Sequence, residues 1–425
     1  MARRTAVLAF PVALVLLAAT ALPALAAPGD LDPAFSEDGR ARVGISGGAT
    51  DVAIQPDGKI VAVGEAGGNF AVVRLKLDGT LDPTFSGDGI ARISAGPGRF
   101  NQANAVAIRN GKIYVVGTSV VESQSLHALA MLRLNSNGTL DTTFSNDGFQ
   151  LLRVGASSTG EDVAVQSDGK IIAVGTSDDE FLIVRRLANG DPDHGFSGDG
   201  SDRTGFAEDA QARTVAIDPT NGRIVVGGIL EHSGISHDFA FAAYTRTGDL
   251  DHSFSGDGLM VRTTSSAGGL SANAILGNGK IVAVGTTNTG QPKGQMLVEQ
   301  FTRAGEPDST FGGGDGRTLV GFASSGHPRD DLASDMKVQT DGKIVVGGLS
   351  AGADEEFAVA RLNANGTLDS TFHGGGVLTG FTKGAQSTGL AINNQTHKIV
   401  LVGIEFTSGS SSSPDAMLAA RYLGT

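Results

Sequence analysis

The chain has 425 residues, a formal net charge of −13, 62 glycines, and neither cysteine nor tryptophan. Without cysteine it can carry no disulfide and no cysteine-linked lipid, so packing alone must hold it together. The acidic balance repels phosphate backbones and argues against a nucleic-acid partner.

Taken in chain order, residues 1–26 read as an export signal. Arg3 and Arg4 give a positive start, Ala6 to Ala19 is apolar, and Ala24-Leu25-Ala26 supplies small residues for cleavage. Pro11 interrupts the apolar run, which disfavours a membrane anchor, and no later stretch reaches spanning length. The mature chain is expected to begin near Ala27; loss of two arginines takes its charge from −13 to −15.

From there one phrase recurs seven times: LDPAFSEDG from Leu31, LDPTFSGDG from Leu81, and variants from Leu140, Pro192, Leu250, Pro307 and Leu368. Its phenylalanines, Phe35, Phe85, Phe144, Phe196, Phe254, Phe311 and Phe372, lie 50 to 61 residues apart, a period that suits one four-stranded propeller blade per unit. Within the first unit Asp51–Gln55 and Lys59–Val63 flank Pro56-Asp57-Gly58, a hairpin signal because glycine tolerates the positive φ of such turns. The turn returns at Gly111, Gly169, Gly222, Gly279 and Gly342, whereas His397-Lys398 replaces it in the seventh unit, so that hairpin must differ. A third strand, Phe70–Leu75, ends at Asp78-Gly79, and a fourth is expected from about Leu81 through Phe85 to Ile93. Strands such as Ile171–Val174 are continuous apolar runs, as sheets covered on both faces require.

The first phrase, Leu31 to Val43, reads as a fourth strand with no blade before it, while the chain stops after a third strand, Met417–Tyr422. The expected fold is therefore an all-β, seven-bladed β-propeller over residues 27–425, four antiparallel strands per blade, closed when the N-terminal strand completes the last blade. The repeated phenylalanine is expected to fill the space between adjacent sheets.

The LDxxF phrase, the xDG that follows it and the Asp-Gly-Lys-Ile hairpin resemble the Delta-60 repeat of secreted and surface-associated bacterial proteins, over about residues 28–425. That resemblance implies a β-propeller and no defined activity, and it carries over no catalytic residue.

The LD aspartates, Asp32, Asp82, Asp141, Asp193, Asp251, Asp308 and Asp369, are followed six or seven residues later by a second acid in every unit but the last, where Gly375 stands. The spacing does not fit an EF-hand loop, and turn capping is the expected role of both acids. Arg74, Arg133, Arg185, Arg361 and Arg421 recur near the end of the third strand and should pair with those aspartates, with Gln300 and Ala243 in the other two units.

Alignment back from the hairpins gives a varied column, Asp51, Ala105, Asp162, Thr214, Asn273, Asp335 and Gly389. On an innermost strand, Asp51, Asp162, Asn273 and Asp335 would face a central channel and hold a cation, Ca²⁺ for example, or a small cationic ligand. The eight histidines show no metal-ligand spacing, no GxSxG elbow occurs, and Tyr114, Tyr244 and Tyr422 are too few for aromatic sugar platforms. The expectation is a secreted, monomeric, non-catalytic binding or scaffold module. Its partner would be an extracellular protein or small ligand, met through the irregular loops 117–127, 230–238, 287–293 and 405–415. The alternative is a metal-dependent hydrolase or lyase using channel carboxylates.

Overall fold

In the computed structural model the described residues are 26–95, 100–120, 126–232, 237–266, 269–287, 293–322, 329–352, 354–406 and 415–424. The export signal, apart from Ala26, lies outside them, as do the centres of the four irregular loops. Among the described residues no helix is long and apolar enough to cross a membrane.

The alternating runs and Asp-Gly turns form seven four-stranded antiparallel sheets. The innermost strands of blades 1 to 7 are Ala49–Ile54, Asn101–Arg109, Asp162–Val165, Ala210–Ile217, Leu270–Ile275, Asp330–Val338 and Gly384–Ile392. Each adjoins the next, and the first adjoins the last, so the blades close into a ring. Blade 7 takes its outermost strand from the chain's beginning: Arg40–Val43 pairs antiparallel with Met417–Ala420. The divergent seventh hairpin is longer, with Asn393 N–H donating to Lys398 O at 2.9 Å and His397 at φ 56°.

The second and third strands are buried almost without interruption, because a neighbouring blade covers each face. The core is accordingly seven apolar clusters, one per blade junction, and each contains one repeated phenylalanine with at most 1% exposure. Burying such a ring is worth roughly 1.5–3 kcal/mol.

One expectation needs correction. The fourth strand of blade 1 covers only Ile90–Ile93, and Phe85 sits in a tight turn before it. The phrase meets the third strand only at its ends, Asp82 N–H donating to Arg74 O and Arg74 N–H to Gly89 O, both at 2.9 Å, and between them it bonds to itself. Asp82 Oδ1 accepts from Thr84 N–H at 3.0 Å and Thr84 Oγ1 at 2.7 Å, Phe85 N–H donates to Asp82 O at 3.0 Å, and Gly89 N–H to Phe85 O at 2.7 Å. Asp88 then accepts from Ile90 N–H at 2.8 Å, so both acids of the phrase shape turns, as expected. Gly89, at φ +91°, would place a Cβ 3.1 Å from Leu81 Cβ.

Each recurrent arginine straps two blades together. Arg185 Nε donates to Asp193 at 2.7 Å, Nη1 to Arg246 O of blade 4 at 2.5 Å, and the guanidinium lies 4.5 Å from the Phe196 centroid. Lys170, from the hairpin, adds a second cation 3.0 Å from Asp193. Blade 4 has Ala243 in the arginine's place, and Arg223, at the hairpin lysine's position, reaches Arg303 O of blade 5 at 2.7 Å instead. Blade 5, with Gln300, keeps only Lys280 on Asp308, at 2.5 Å.

Candidate functional site: the central channel

Seven innermost strands leave an axial channel with a cavity of about 610 Å³. Strand period fixes which residues face it, since alternate side chains share a face. In six blades the innermost strand bulges by one residue, at Thr50, Asn104, Arg213, Ser271, Ser334 and Thr388; in blade 3 Glu161 holds the matching place, its N–H donating to Val174 O at 2.8 Å. This polar ring lies at the end of the channel where the innermost strands begin. The antiparallel order brings the ends of the second strands and the starts of the third to that same end, so the described flanks of all four irregular loops lie on one face.

The next ring is the varied column. The register gives Asp51 opposite Val63, Ala105 opposite Val116, Asp162 opposite Val174, Thr214 opposite Gly227, Asp335 opposite Gly347 and Gly389 opposite Val402. In blade 5 the residue in register is Ala272, opposite Val284, and Asn273 is one step beyond. A one-residue step turns a side chain to the other face. Asn273 is consequently buried toward blade 4, its Nδ2 3.3 Å from Val225 O and its Oδ1 accepting from Thr214 Oγ1 at 3.1 Å.

The three carboxylates that do share the ring fasten blades. Asp51 accepts from Val52 N–H at 2.7 Å and from Val106 N–H of blade 2 at 2.8 Å. Asp162 accepts from Val163 at 2.7 Å and from Val215 of blade 4 at 2.8 Å. Asp335 accepts from Met336 at 2.6 Å and from Leu390 of blade 7 at 2.8 Å. The residue met in the next blade is Ala105, Thr214 or Gly389, small enough to admit the carboxylate. Gly389 leaves still less room on its far side, where a Cβ would stand 2.8 Å from Asp51 Cα. The remaining junctions are clipped by other polar side chains: Asn104 Nδ2 to Gly160 O at 2.7 Å, Thr214 to Asn273, Ser271 Oγ to Ala333 O at 2.7 Å, and Thr388 Oγ1 to Ala49 O at 2.8 Å across the closing seam.

A third ring lies two residues further along. It is alanine in six blades, Ala53, Ala107, Ala164, Ala216, Ala274 and Ala391, and Lys337 in blade 6. Lys337 Nζ lies 2.7 Å from each oxygen of Asp335. Burial works against its charge, but the Asp335, Asp51 and Asp162 carboxylates hold the ammonium above its ordinary pKa. Burial pushes Asp51 up to about 7, helped by the charges of Asp335 and Asp162 and opposed by Lys337. Asp162 is pushed to about 6 by burial, against the pull of its two amide donors.

Sequence reasoning missed Lys337, Glu161 and Arg213. The signal was available as breaks in the repeat: Lys337 stands where every other unit carries alanine, and Glu161 and Arg213 are the charged members of an otherwise hydroxyl and amide ring. His194 and His252 are exposed turn residues, as expected. Tyr114, Tyr244 and Tyr422 are all buried, so none offers a stacking surface.

Residues 55–85, 109–144, 166–196 and 339–372 match the family described as a domain of unknown function (DUF5122) beta-propeller. No curated protein matches the sequence. Among solved structures, a catalytically inactive virginiamycin B lyase from Staphylococcus aureus with quinupristin superposes with a TM-score of 0.52 at 9% identity, covering 90% of this chain and 99% of that one. The selenomethionine-substituted form of that lyase gives 0.51 at 9% identity over the same shares. The β-propeller domain of the trilobed protease from Pyrococcus furiosus gives 0.47 at 9% identity, covering 89% and 94%. Likeness at this level is one of fold.

Proposed function

We propose that the chain is an exported, non-catalytic binding propeller that receives its ligand at the loop-bearing mouth of the channel. The observation that carries this reading is the engagement of the channel carboxylates. Asp51, Asp162 and Asp335 each spend both oxygens on backbone N–H groups, one of them in the neighbouring blade. General acid–base work needs a group free to reach substrate; of the other titratable side chains in the cavity lining, Lys337 is held by both oxygens of Asp335 and Glu161 stands at the mouth, apart from the three carboxylates. Lys337 occupies the position a small cationic ligand or Ca²⁺ would take beside Asp335. Export and the Delta-60 resemblance belong to the same proposal: the mature protein is expected in the culture supernatant, as a monomer, with Ala27 near its first residue.

The alternative is a metal-dependent hydrolase or lyase acting through the same carboxylates. A screen against esters, lactones and glycosides, with and without Ca²⁺ or Mg²⁺, separates the two, run beside a thermal-shift screen of neutral, cationic and anionic small molecules. The binding reading expects no turnover and a stabilisation that grows with ligand concentration. Turnover abolished by Asp51→Asn would overturn it.

A further inference from the structure

Resting on that binding reading, the chemistry of the ligand can be taken further from the polar ring at the mouth. Arg213 lines the main cavity and two others, of about 490 and 410 Å³, that open beside it. It is exposed, makes no hydrogen bond with the described residues, and lies in the field of the Glu161 and Glu231 carboxylates without closing an ion pair to either. Gly269 leaves it room: a Cβ there would sit 3.0 Å from Arg213 Nη1.

Three of the side chains that share its cavities are acceptors. Ser271 Oγ gives its proton to Ala333 O at 2.7 Å, and Ser334 Oγ gives its proton to Gly347 O at 3.2 Å, so each hydroxyl has lone pairs and no hydrogen left to offer. Glu161 is a further acceptor on the adjoining blade, with Asn104 Nδ2 3.4 Å from its Oε2. A single five-donor fork set among acceptors matches a carboxylate that carries its own hydroxyl donors. Glu161 and the net charge of −13 disfavour a dianion such as phosphate. No aromatic side chain lines the three cavities, so a neutral sugar would have no stacking surface within them.

We propose that the channel mouth is a site for a small hydroxylated carboxylate of the uronic acid class, with Arg213 gripping the carboxylate and Ser271, Ser334 and Glu161 accepting from its hydroxyls.

The test is titration calorimetry of the full mature chain with D-galacturonate, D-galactose, glycine and inorganic phosphate. Galacturonate should bind saturably, about tenfold or more tighter than the other three. Arg213→Gln should weaken it by about tenfold to a hundredfold, Arg213→Lys by less, and Glu161→Gln severalfold, with unfolding midpoints showing that each variant is folded. The proposal falls if galacturonate does not saturate, if galactose, glycine or phosphate binds as tightly, or if Arg213→Gln binds like the parent. Stabilisation by some neutral or cationic compound with no carboxylate binding sinks this proposal and leaves the binding reading standing; no binding by any compound sinks both.

Discussion

Lys337→Ala restores the seventh alanine of the third channel ring and removes the ammonium held between the Asp335 oxygens at 2.7 Å. At a charge separation of roughly 3.5 Å and an effective dielectric of about 20, the gross attraction is about 5 kcal/mol. The Lys337 side chain is 44% exposed, and solvent screening brings the net loss down to about 1–3 kcal/mol. The sign with pH follows from the carboxylates. Asp51 and Asp162 have folded pKa values raised from 3.8 to about 7 and about 6, so they favour the fold when protonated, and that contribution is lost as pH rises through those values. Lys337 opposes the loss, because its charge lowers both. The deficit of the variant should therefore be larger at pH 8 than at pH 5 in urea unfolding followed by circular dichroism, because the repulsion from ionised Asp51 and Asp162 adds to the lost Asp335 contact only at the higher pH. The variant also leaves three carboxylates around an uncompensated space, so millimolar Ca²⁺ should stabilise it more than the parent. Equal deficits at both pH values, or a parent protein that Ca²⁺ stabilises just as much, would refute the assignment of Lys337 as the channel's resident cation.

Arg185→Gln copies the natural state of blade 5; since Lys170 remains on Asp193, it should cost about 2–4 kcal/mol, and the Arg185→Gln/Asp193→Asn double variant less than the sum of the singles in a denaturant-based cycle. Phe196→Ala, in the junction of blades 3 and 4, should cost about 3–5 kcal/mol by the same assay, with no effect on export. Asp82 is held down to about 2 because the hydrogen bonds from Thr84 and Lys59 and the Arg74 charge outweigh its burial; its stabilisation should be complete above pH 4 and vanish as acid is added toward pH 2, a phase that Asp82→Asn removes from an acid-unfolding curve. Deleting residues 27–43 exposes the backbone of Met417–Ala420, and size-exclusion chromatography should show aggregation or strand-exchanged oligomers in place of the parent's peak.

The blades were legible because their signals are local and repeated: an Asp-Gly turn between two β-rich runs marks a hairpin wherever it stands, and the complementary phrases at Leu31 and Met417 already implied the closing seam. The channel was only half legible. Its facing residues depend on counting from hairpins of unequal length, and in blade 5 the polar Asn273 drew the alignment one step away from Ala272, a position that only the pairing with Val284 establishes. The partners of Asp51, Asp162 and Asp335 are backbone amides of other blades, which no side-chain pattern records. Arg223 standing in for the arginine missing at Ala243 was hidden for a similar reason, since the two positions lie 20 residues apart in sequence and come together only where Val225 pairs with Ala243.

The seam also orders events in time. Arg40–Val43 leaves the ribosome among the first residues of the ring, yet the edge it needs, Met417–Ala420, is among the last. Closure of the ring has to await that edge, since it joins the oldest strand to the newest. An interrupted chain, stalled anywhere before that final edge, would be left as an open crescent with a bare strand at one tip, a ready substrate for proteolytic clearance.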